Sequence, residues 1–507
     1  MNADTPPEVP TAAGLVRGRR EAGLEVFRGI PFAQPPVGEQ RFAAPQPVHP
    51  WEGVRDAAVF GPPPPQVPMF PALPAAQVVP AGDDWLTVNV WTPAADVSAR
   101  RPVMVWIYGG AYKSGHADEP SYEGGRLARD GQQVVVSFNY RVGMEGFAQI
   151  EGAPANRGLL DQVAALRWVR ENITAFGGDP DQVTVFGESA GAGSIAALLA
   201  MPSAKGLFRR AIVQSAPGTI LSNELATDIS AALAAELGLR PTVGDLSTVD
   251  PRKLTEAGVK VSATLDRYVD RWGTVAYSST PFWPVLDGTV LPTTPWEALA
   301  RGAGTDVDLV IGHNRDEYRL FTILRENAGA IDRDLLAGVM RVCGPGPDAE
   351  QHYRAAFPDA TDERLYELVQ SDRFFRMPSL HLAEAQLAGG GRAHVYELLW
   401  SAPGFDGVFG ACHFLDVPLT FGVFDGVAGA LVPEATPEVE ALSAHIRSAW
   451  TAFAATGDPG WPAYDTDRRL VHVLDVEPSV TAYPEQHSRR LWQHFTFDSV
   501  GLTSPSA

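Results

Sequence analysis

Gln182-Val-Thr-Val-Phe-Gly-Glu-Ser-Ala-Gly-Ala-Gly-Ser194 is the stretch on which the reading of this 507-residue chain turns. Val183 to Phe186 is a short β-branched and aromatic run, as in a strand, and Gly187 breaks it. The small and apolar residues from Ile195 to Met201 then form the body of a helix. Between them, Gly187-Glu188-Ser189-Ala190-Gly191 fits G-x-S-x-G, a strand that turns at once into a helix. Such a turn strains its central residue, and glycines on either side let neighbouring backbones come close. It presents the Ser189 hydroxyl at the carboxyl edge of a sheet, where a helix N-terminus favours negative charge. Ser189 is therefore the candidate nucleophile.

The flanking sequence supplies a sheet for that serine. Trp85 to Trp91, Val103 to Tyr108, Val134 to Phe138 and Ala211 to Ser215 read as buried strands. Leu159 to Ala175 repeats its apolar residues near the helical period. Strands alternating with helices imply a mainly parallel sheet covered on both faces. Beyond Ser215 the pattern turns helical, with helices expected over Glu224 to Leu237, Arg252 to Thr264 and Leu442 to Ala455. Strands are expected at Val307 to Gly312, His394 to Trp400 and Leu470 to Leu474. Pro62 to Gly82 is rich in proline and alanine and reads as a long surface loop, either a spacer or a rim of the binding cleft. No linker divides the chain. One α/β catalytic unit is expected over residues 12–500, with tails at 1–11 and 501–507 and a helix-rich part at about 220–410.

A serine hydroxyl needs a base to take its proton and a third group to orient that base. In the α/β-hydrolase arrangement these follow in the order Ser, acid, His. Several histidines follow Ser189, and order alone does not choose among them. His413 stands out because it follows the glycine-rich loop Gly404 to Gly410, whereas His352, His381, His394, His445, His472, His487 and His494 lie in or beside regular elements. The polar cluster His313-Asn-Arg-Asp-Glu317 ends a strand and offers Asp316 and Glu317 as acids. Backbone N–H donors for an oxyanion are expected from Ala190 and from the turn in Val105-Trp-Ile-Tyr-Gly-Gly-Ala-Tyr112.

Composition excludes other classes. Hydrophobic residues make up 45% and charged residues 20%, the balance of a globular protein with ample core. A formal net charge of −20 argues against nucleic acid and anionic membrane surfaces as partners. The N-terminus lacks a signal-like apolar core and no run is long enough to span a bilayer, so a cytoplasmic protein is expected. Cys343 and Cys412 are too few for a disulfide framework. No HExxH or Cys/His cluster points to a metal, and no organic cofactor is expected.

The chain resembles the type B carboxylesterases, a family that includes the cholinesterases and bacterial para-nitrobenzyl esterases. The resemblance runs from about Gly14 to Tyr464. It is carried by the G-x-S-x-G turn, Phe27-Arg-Gly-Ile-Pro-Phe32, Pro35-Pro-Val-Gly38, Arg41-Phe42, Trp51-Glu-Gly-Val54 and Asn139-Tyr-Arg-Val-Gly143. Leu159-Leu-Asp-Gln162, Asn172 to Pro180, Pro284-Val-Leu-Asp-Gly288, Asn314 to Glu317, Gly410-Ala-Cys-His413 and Gly457-Asp-Pro459 continue it. It implies an α/β-hydrolase fold and a Ser189, Glu317, His413 triad, with Gly110, Ala111 and Ala190 as oxyanion donors. Ser215 matches a supporting serine, and Arg41 with Asp83 a structural ion pair. Tyr112, Phe282, Trp283 and Phe321 fall in segments that border the substrate pocket. Three departures stand out. Pro65 and Trp85 occupy the places of a disulfide found in secreted members, and the loop between them has no tryptophan for a cationic substrate, only Phe70. The oxyanion turn reads Gly-Gly-Ala, not Gly-Gly-Gly, which keeps the N–H donors.

The expected activity is hydrolysis of small carboxylic esters, short-chain or aryl, through an acyl-enzyme. The protein is expected to be a monomer or a weak homo-oligomer. Amide or carbamate hydrolysis on the same triad is the alternative within hydrolases. A non-catalytic interaction module on this fold is the alternative from another class, and retention of all three triad residues argues against it. With an imidazole as base, kcat/KM is expected to rise with pH through ~6.5.

Overall fold

The computed structural model describes residues 5–67, 82–324 and 331–503. Most of the proline-rich stretch, Phe70 included, lies outside the described residues. The strands, in chain order, begin with β1 (Glu8–Thr11), β2 (Gly14–Arg17), β3 (Arg19–Glu21), β4 (Leu24–Pro31), β5 (Val54–Asp56) and β6 (Thr87–Thr92). β7 (Arg101–Ile107), β8 (Val134–Phe138), β9 (Gly178–Glu188), β10 (Arg210–Gln214), β11 (Leu221–Ser222) and β12 (Val285–Leu286) follow. The last four are β13 (Asp308–Asn314), β14 (Ala393–Leu398), β15 (Leu470–Leu474) and β16 (Ser479–Ala482).

Eleven of these form one sheet in the order β16-β15-β14-β13-β10-β9-β7-β8-β6-β4-β3. From β8 to β15 every pairing is parallel, and antiparallel strands close both ends. The central strands are apolar almost throughout because both faces are covered: every residue of β8 and β10 is buried. The chain steps from β7 outward to β8, then returns across β7 to β9. Right-handed crossovers in opposite directions put their helices on opposite faces. Accordingly Gly125–Gly131 packs with Pro437–Thr456, while Arg157–Asn172 packs with Ala190–Ala200. The reversal leaves a crevice at the carboxyl ends of β7 and β9, the place where open α/β sheets receive ligands. Both the candidate oxyanion turn and Ser189 lie there.

The expected elements are present with ends shifted by a few residues, and three readings need correction. Glu8–Thr11, expected as loose tail, pairs antiparallel with β2. Part of the C-terminal tail is also held: the Thr503 N–H donates to Arg271 O at 3.0 Å, just beyond Val500, whose N–H donates to Ile220 O at 2.7 Å. The helix-rich part is not continuous: β13 and β14 of the central sheet, both expected as strands, fall inside its bounds and divide it.

Candidate active site

β9 ends at Glu188, and Ser189 takes φ 55° and ψ −123° before the helix Ala190–Ala200 begins. That backbone is strained for any residue with a side chain. The ladder holds it: the Ser189 N–H donates to Gln214 O of β10 at 2.9 Å. Glycine is required beside it, since a Cβ on Gly187 would lie 2.6 Å from Ile107 O and one on Gly191 would collide with the same oxygen. β7 and β9 pair Ile107 with Gly187, so the turn after β7 comes to the serine. A Cβ on Gly109 would lie 3.1 Å from Ser189 Cβ. Gly110 and Ala111 follow at φ 111° and 55°, and their N–H groups donate to no acceptor among the described residues. The Ala190 N–H, the first of its helix, likewise donates to no acceptor among the described residues. Gln66 props this turn from the start of the proline-rich stretch, with Nε2 donating to Gly115 O (2.9 Å) and Oε1 accepting from Gly115 N–H (2.7 Å).

The two candidate acids separate cleanly in space. Glu317 Oε2 lies 2.5 Å from His413 Nδ1, while Oε1 accepts from Ser215 Oγ at 2.6 Å and from the Asn314 N–H at 2.8 Å. Asp316 faces away, to Arg315 and Arg364, each at 3.0 Å. It also bonds the histidine loop twice: its backbone N–H donates to Ala411 O (2.9 Å) and its side-chain Oδ2 accepts from the Ala411 N–H (3.2 Å). Of the candidate histidines, His413 alone meets the acid. His313 bonds the Tyr483 hydroxyl, His394 the Trp461 carbonyl, and His445 pairs with His472.

His413 Nε2 is the nitrogen left for the serine, yet no hydrogen bond joins it to Ser189 Oγ. It lies 3.1 Å from Glu188 Oε1, out of line for a hydrogen bond. Loose contacts of this kind are common before substrate tightens a site. His413 is buried, which opposes the imidazolium, but the carboxylates of Glu188 and Glu317 outweigh burial and raise its pKa to about 9. Burial raises Glu188 itself to about 8 despite the histidine beside it.

Aromatic rings surround the imidazole. Phe375 stands 4.2 Å and Phe321 5.3 Å from it, centroid to centroid. Tyr318 and Phe374 continue the wall at 6.0 Å from each other, and Trp283 lies 6.4 Å beyond Phe374. Tyr112, expected on this wall, backs it from the core: 1% of its surface is exposed, and it packs on Phe147 and on Trp283 of the wall. Phe282 is likewise buried, against the helix that carries Gly258.

The model of the carboxylesterase family matches residues 5–492. The chain belongs to the carboxylesterase family. This carboxylesterase is 39% identical to the para-nitrobenzyl esterase of Bacillus subtilis (strain 168), over 95% of its own length and 97% of the relative's. It is 35% identical to the phenmedipham hydrolase of Pseudarthrobacter oxydans, over 94% and 97%. A solved thermophilic PNB esterase superposes with a TM-score of 0.86 at 38% identity, covering 96% of this chain and all (100%) of the other. Another PNB esterase structure gives 0.85 at 38%, over 96% and 99%. The carboxylesterase is thus a carboxylic ester hydrolase of the α/β-hydrolase fold. Among the described residues no helix is long and apolar enough to cross a membrane.

Sequence reading missed parts of this carboxylesterase site. Glu188 was in view inside G-x-S-x-G but carried no assignment. Phe374 and Phe375 sit on a π-helical turn, Asp372–Arg376, that no local pattern announces. The Arg41 ion pair was assigned the wrong partner. Arg41 meets Glu145 at 2.7 Å, both side chains buried, while Asp83 is exposed and Asp84 pairs with Arg55. Glu145 is on a one-turn helix after the Asn139-Tyr-Arg motif, and a guanidinium as buried as that of Arg41 needs a counter-charge buried with it, which an exposed loop end does not supply.

Proposed function

We propose that this carboxylesterase hydrolyses short-chain and aryl carboxylic esters with Ser189 as nucleophile, His413 as general base and Glu317 as the orienting acid. The observation that carries the reading is the Glu317 carboxylate at 2.5 Å from His413 Nδ1, which fixes a proton on Nδ1 and leaves Nε2 to face the elbow. On substrate binding Nε2 exchanges Glu188 for the Ser189 hydroxyl and takes its proton as Oγ attacks the carbonyl carbon. The tetrahedral oxyanion is received by the N–H groups of Gly110, Ala111 and Ala190. Collapse breaks the ester C–O bond, and His413 gives its proton to the leaving alcohol. Water then attacks the acyl-enzyme by the same base, releasing the acid and Ser189. Ser215 Oγ steadies the Glu317 carboxylate throughout.

The aromatic wall supports the substrate class. Flat or short groups gain matched contact with Phe321, Phe374 and Phe375, whereas a long flexible chain loses rotamer freedom without equal return. The names of the relatives agree, since one is a para-nitrobenzyl esterase. The test is a panel of para-nitrophenyl butyrate, para-nitrophenyl palmitate, acetylthiocholine, a para-nitroanilide and an aryl carbamate. Butyrate is expected to have the highest kcat/KM. Ser189→Ala, His413→Ala and Glu317→Gln should each lower kcat on it by about three orders of magnitude or more. Equal rates on the palmitate or the choline ester would overturn the substrate class, and undiminished turnover in Ser189→Ala would overturn the mechanism.

A further inference from the structure

One cation on the turn that follows the oxyanion donors has no counter-charge among the described residues. Of forty basic residues only four are lysine, and Lys113 stands two residues beyond Ala111. It is partly buried, and its Nζ donates to Ser279 O at 2.8 Å. No carboxylate among the described residues pairs with it. Burial alone acts on the ammonium, lowering its pKa to about 8 and leaving it charged near neutrality. An ammonium has three donors, and two of these find no acceptor among the described residues. Holding a cation half out of water on one carbonyl is costly, and an exposed position would avoid the cost.

Its place says which anion. Lys113 leaves the oxyanion turn on one side and grips the segment of Ser279 on the other. That segment runs on to Thr280, whose carbonyl accepts from Trp283 Nε1 at 3.1 Å. Trp283 faces Phe374, the neighbour of Phe375 beside His413. One hydrogen bond thus ties Lys113 between the turn that carries the oxyanion donors and the segment that leads to the aromatic wall. We propose that Lys113 is a specificity-determining residue whose ammonium receives a carboxylate on the acyl part of the ester, so that aryl monoesters of short dicarboxylic acids are favoured over neutral esters of equal length. The assignment rests on the ester-hydrolase reading above. The net charge of −20 repels anions at long range, but salt screens that field within about 8 Å while a contact pair is little affected.

The experiment compares 4-nitrophenyl hydrogen adipate with its neutral methyl diester, after subtraction of uncatalysed hydrolysis. kcat/KM is measured for the full chain and for Lys113→Gln, Lys113→Met and Lys113→Arg. The acid-to-diester ratio cancels any general loss of activity. It is expected to fall tenfold or more in both the Gln and Met variants and to be largely kept in Arg. Glutamine retains a donor for Ser279 O, so a fall shared by Gln and Met reports charge. A ratio unchanged in both overturns the proposal, as does a fall in Met alone, which would report the lost tie to Ser279. A Lys113-dependent preference for 4-acetoxybenzoate, with its carboxylate on the alcohol, would overturn the acyl-side assignment. Failure of the wild-type chain to cleave either ester would instead overturn the ester-hydrolase reading itself.

Discussion

Asp316 and Glu317 are neighbours with different work. Glu317 turns both oxygens to the site, whereas Asp316 splices the acid turn to the histidine loop and neutralises guanidinium groups. The arginines Arg315, Arg364 and Arg319 hold the Asp316 pKa below its ordinary value although burial opposes them. Asp316→Asn should therefore leave kcat within about tenfold of wild type while lowering stability by roughly 2 kcal/mol, the scale of hydrogen bonds to charged groups with partners partly in solvent. Thermal melts beside para-nitrophenyl butyrate kinetics check this; a kcat loss as deep as that of Glu317→Gln would exchange the two roles. A second prediction concerns pH. Glu188 and Glu317 favour the imidazolium of His413, so a higher pH is needed to free the base. The rising limb of kcat/KM should lie above the ~6.5 of an unperturbed histidine. Because Glu188 titrates in the same closure, the limb belongs to the cluster and not to one group. Glu188→Gln removes one carboxylate from the imidazolium, so the limb should move to lower pH by about one pH unit or more. An unmoved profile would show that Glu188 does not act on His413.

At the scale of elements, what could be read from the sequence follows from what each element buries. β8 and β15 were legible to the residue because their apolar runs are bounded by polar or turn residues. The strand-turn-helix of Ser189 and the glycine turn before Tyr112 were legible because close backbone approach leaves only glycine or alanine. The π-helical Asp372–Arg376 turn was not. Asp372 and Arg376 meet at 2.6 Å with both side chains fully buried, and Arg376 donates to Arg315 O at 3.1 Å and to Ser488 Oγ at 2.9 Å. The ion pair is local, but Arg315 and Ser488 come from elsewhere in the chain, so the spacing of Asp372 and Arg376 alone does not mark the turn. The same holds for Arg141 and Asp161, fully buried at 2.8 Å, which explain two quoted motifs that spacing alone left unexplained. The close approach at the elbow gives a direct contrast. Gly191→Ala sets a methyl group against the Ile107 carbonyl and should abolish activity and folded yield together. Gly206→Ala, at φ 76° with open space around its Cβ position, should cost only about 1–2 kcal/mol of backbone strain and keep full activity. Comparing soluble yield and melting temperature of the two variants checks the distinction.

For the whole molecule, the sheet's two ends matter as much as its centre. β3 at one end is three residues long, Arg19-Arg-Glu21, with Arg20 paired to Glu25 and Glu21 to Arg28. β16 at the other end is fully exposed and lies between Pro478 and Pro484. An edge strand offers unpaired backbone groups to any passing chain, and charge, brevity and proline are what blunt that offer. An eleven-stranded sheet with an apolar interior is thereby sealed against lengthening itself strand by strand. The prediction is that sedimentation shows no open-ended growth of mass with concentration. Replacing Arg19, Arg20 and Glu21 by threonine and valine should introduce concentration-dependent association without touching the pocket. Guarded edges of this kind are what keep a large, mostly apolar sheet from acting as a template for fibres.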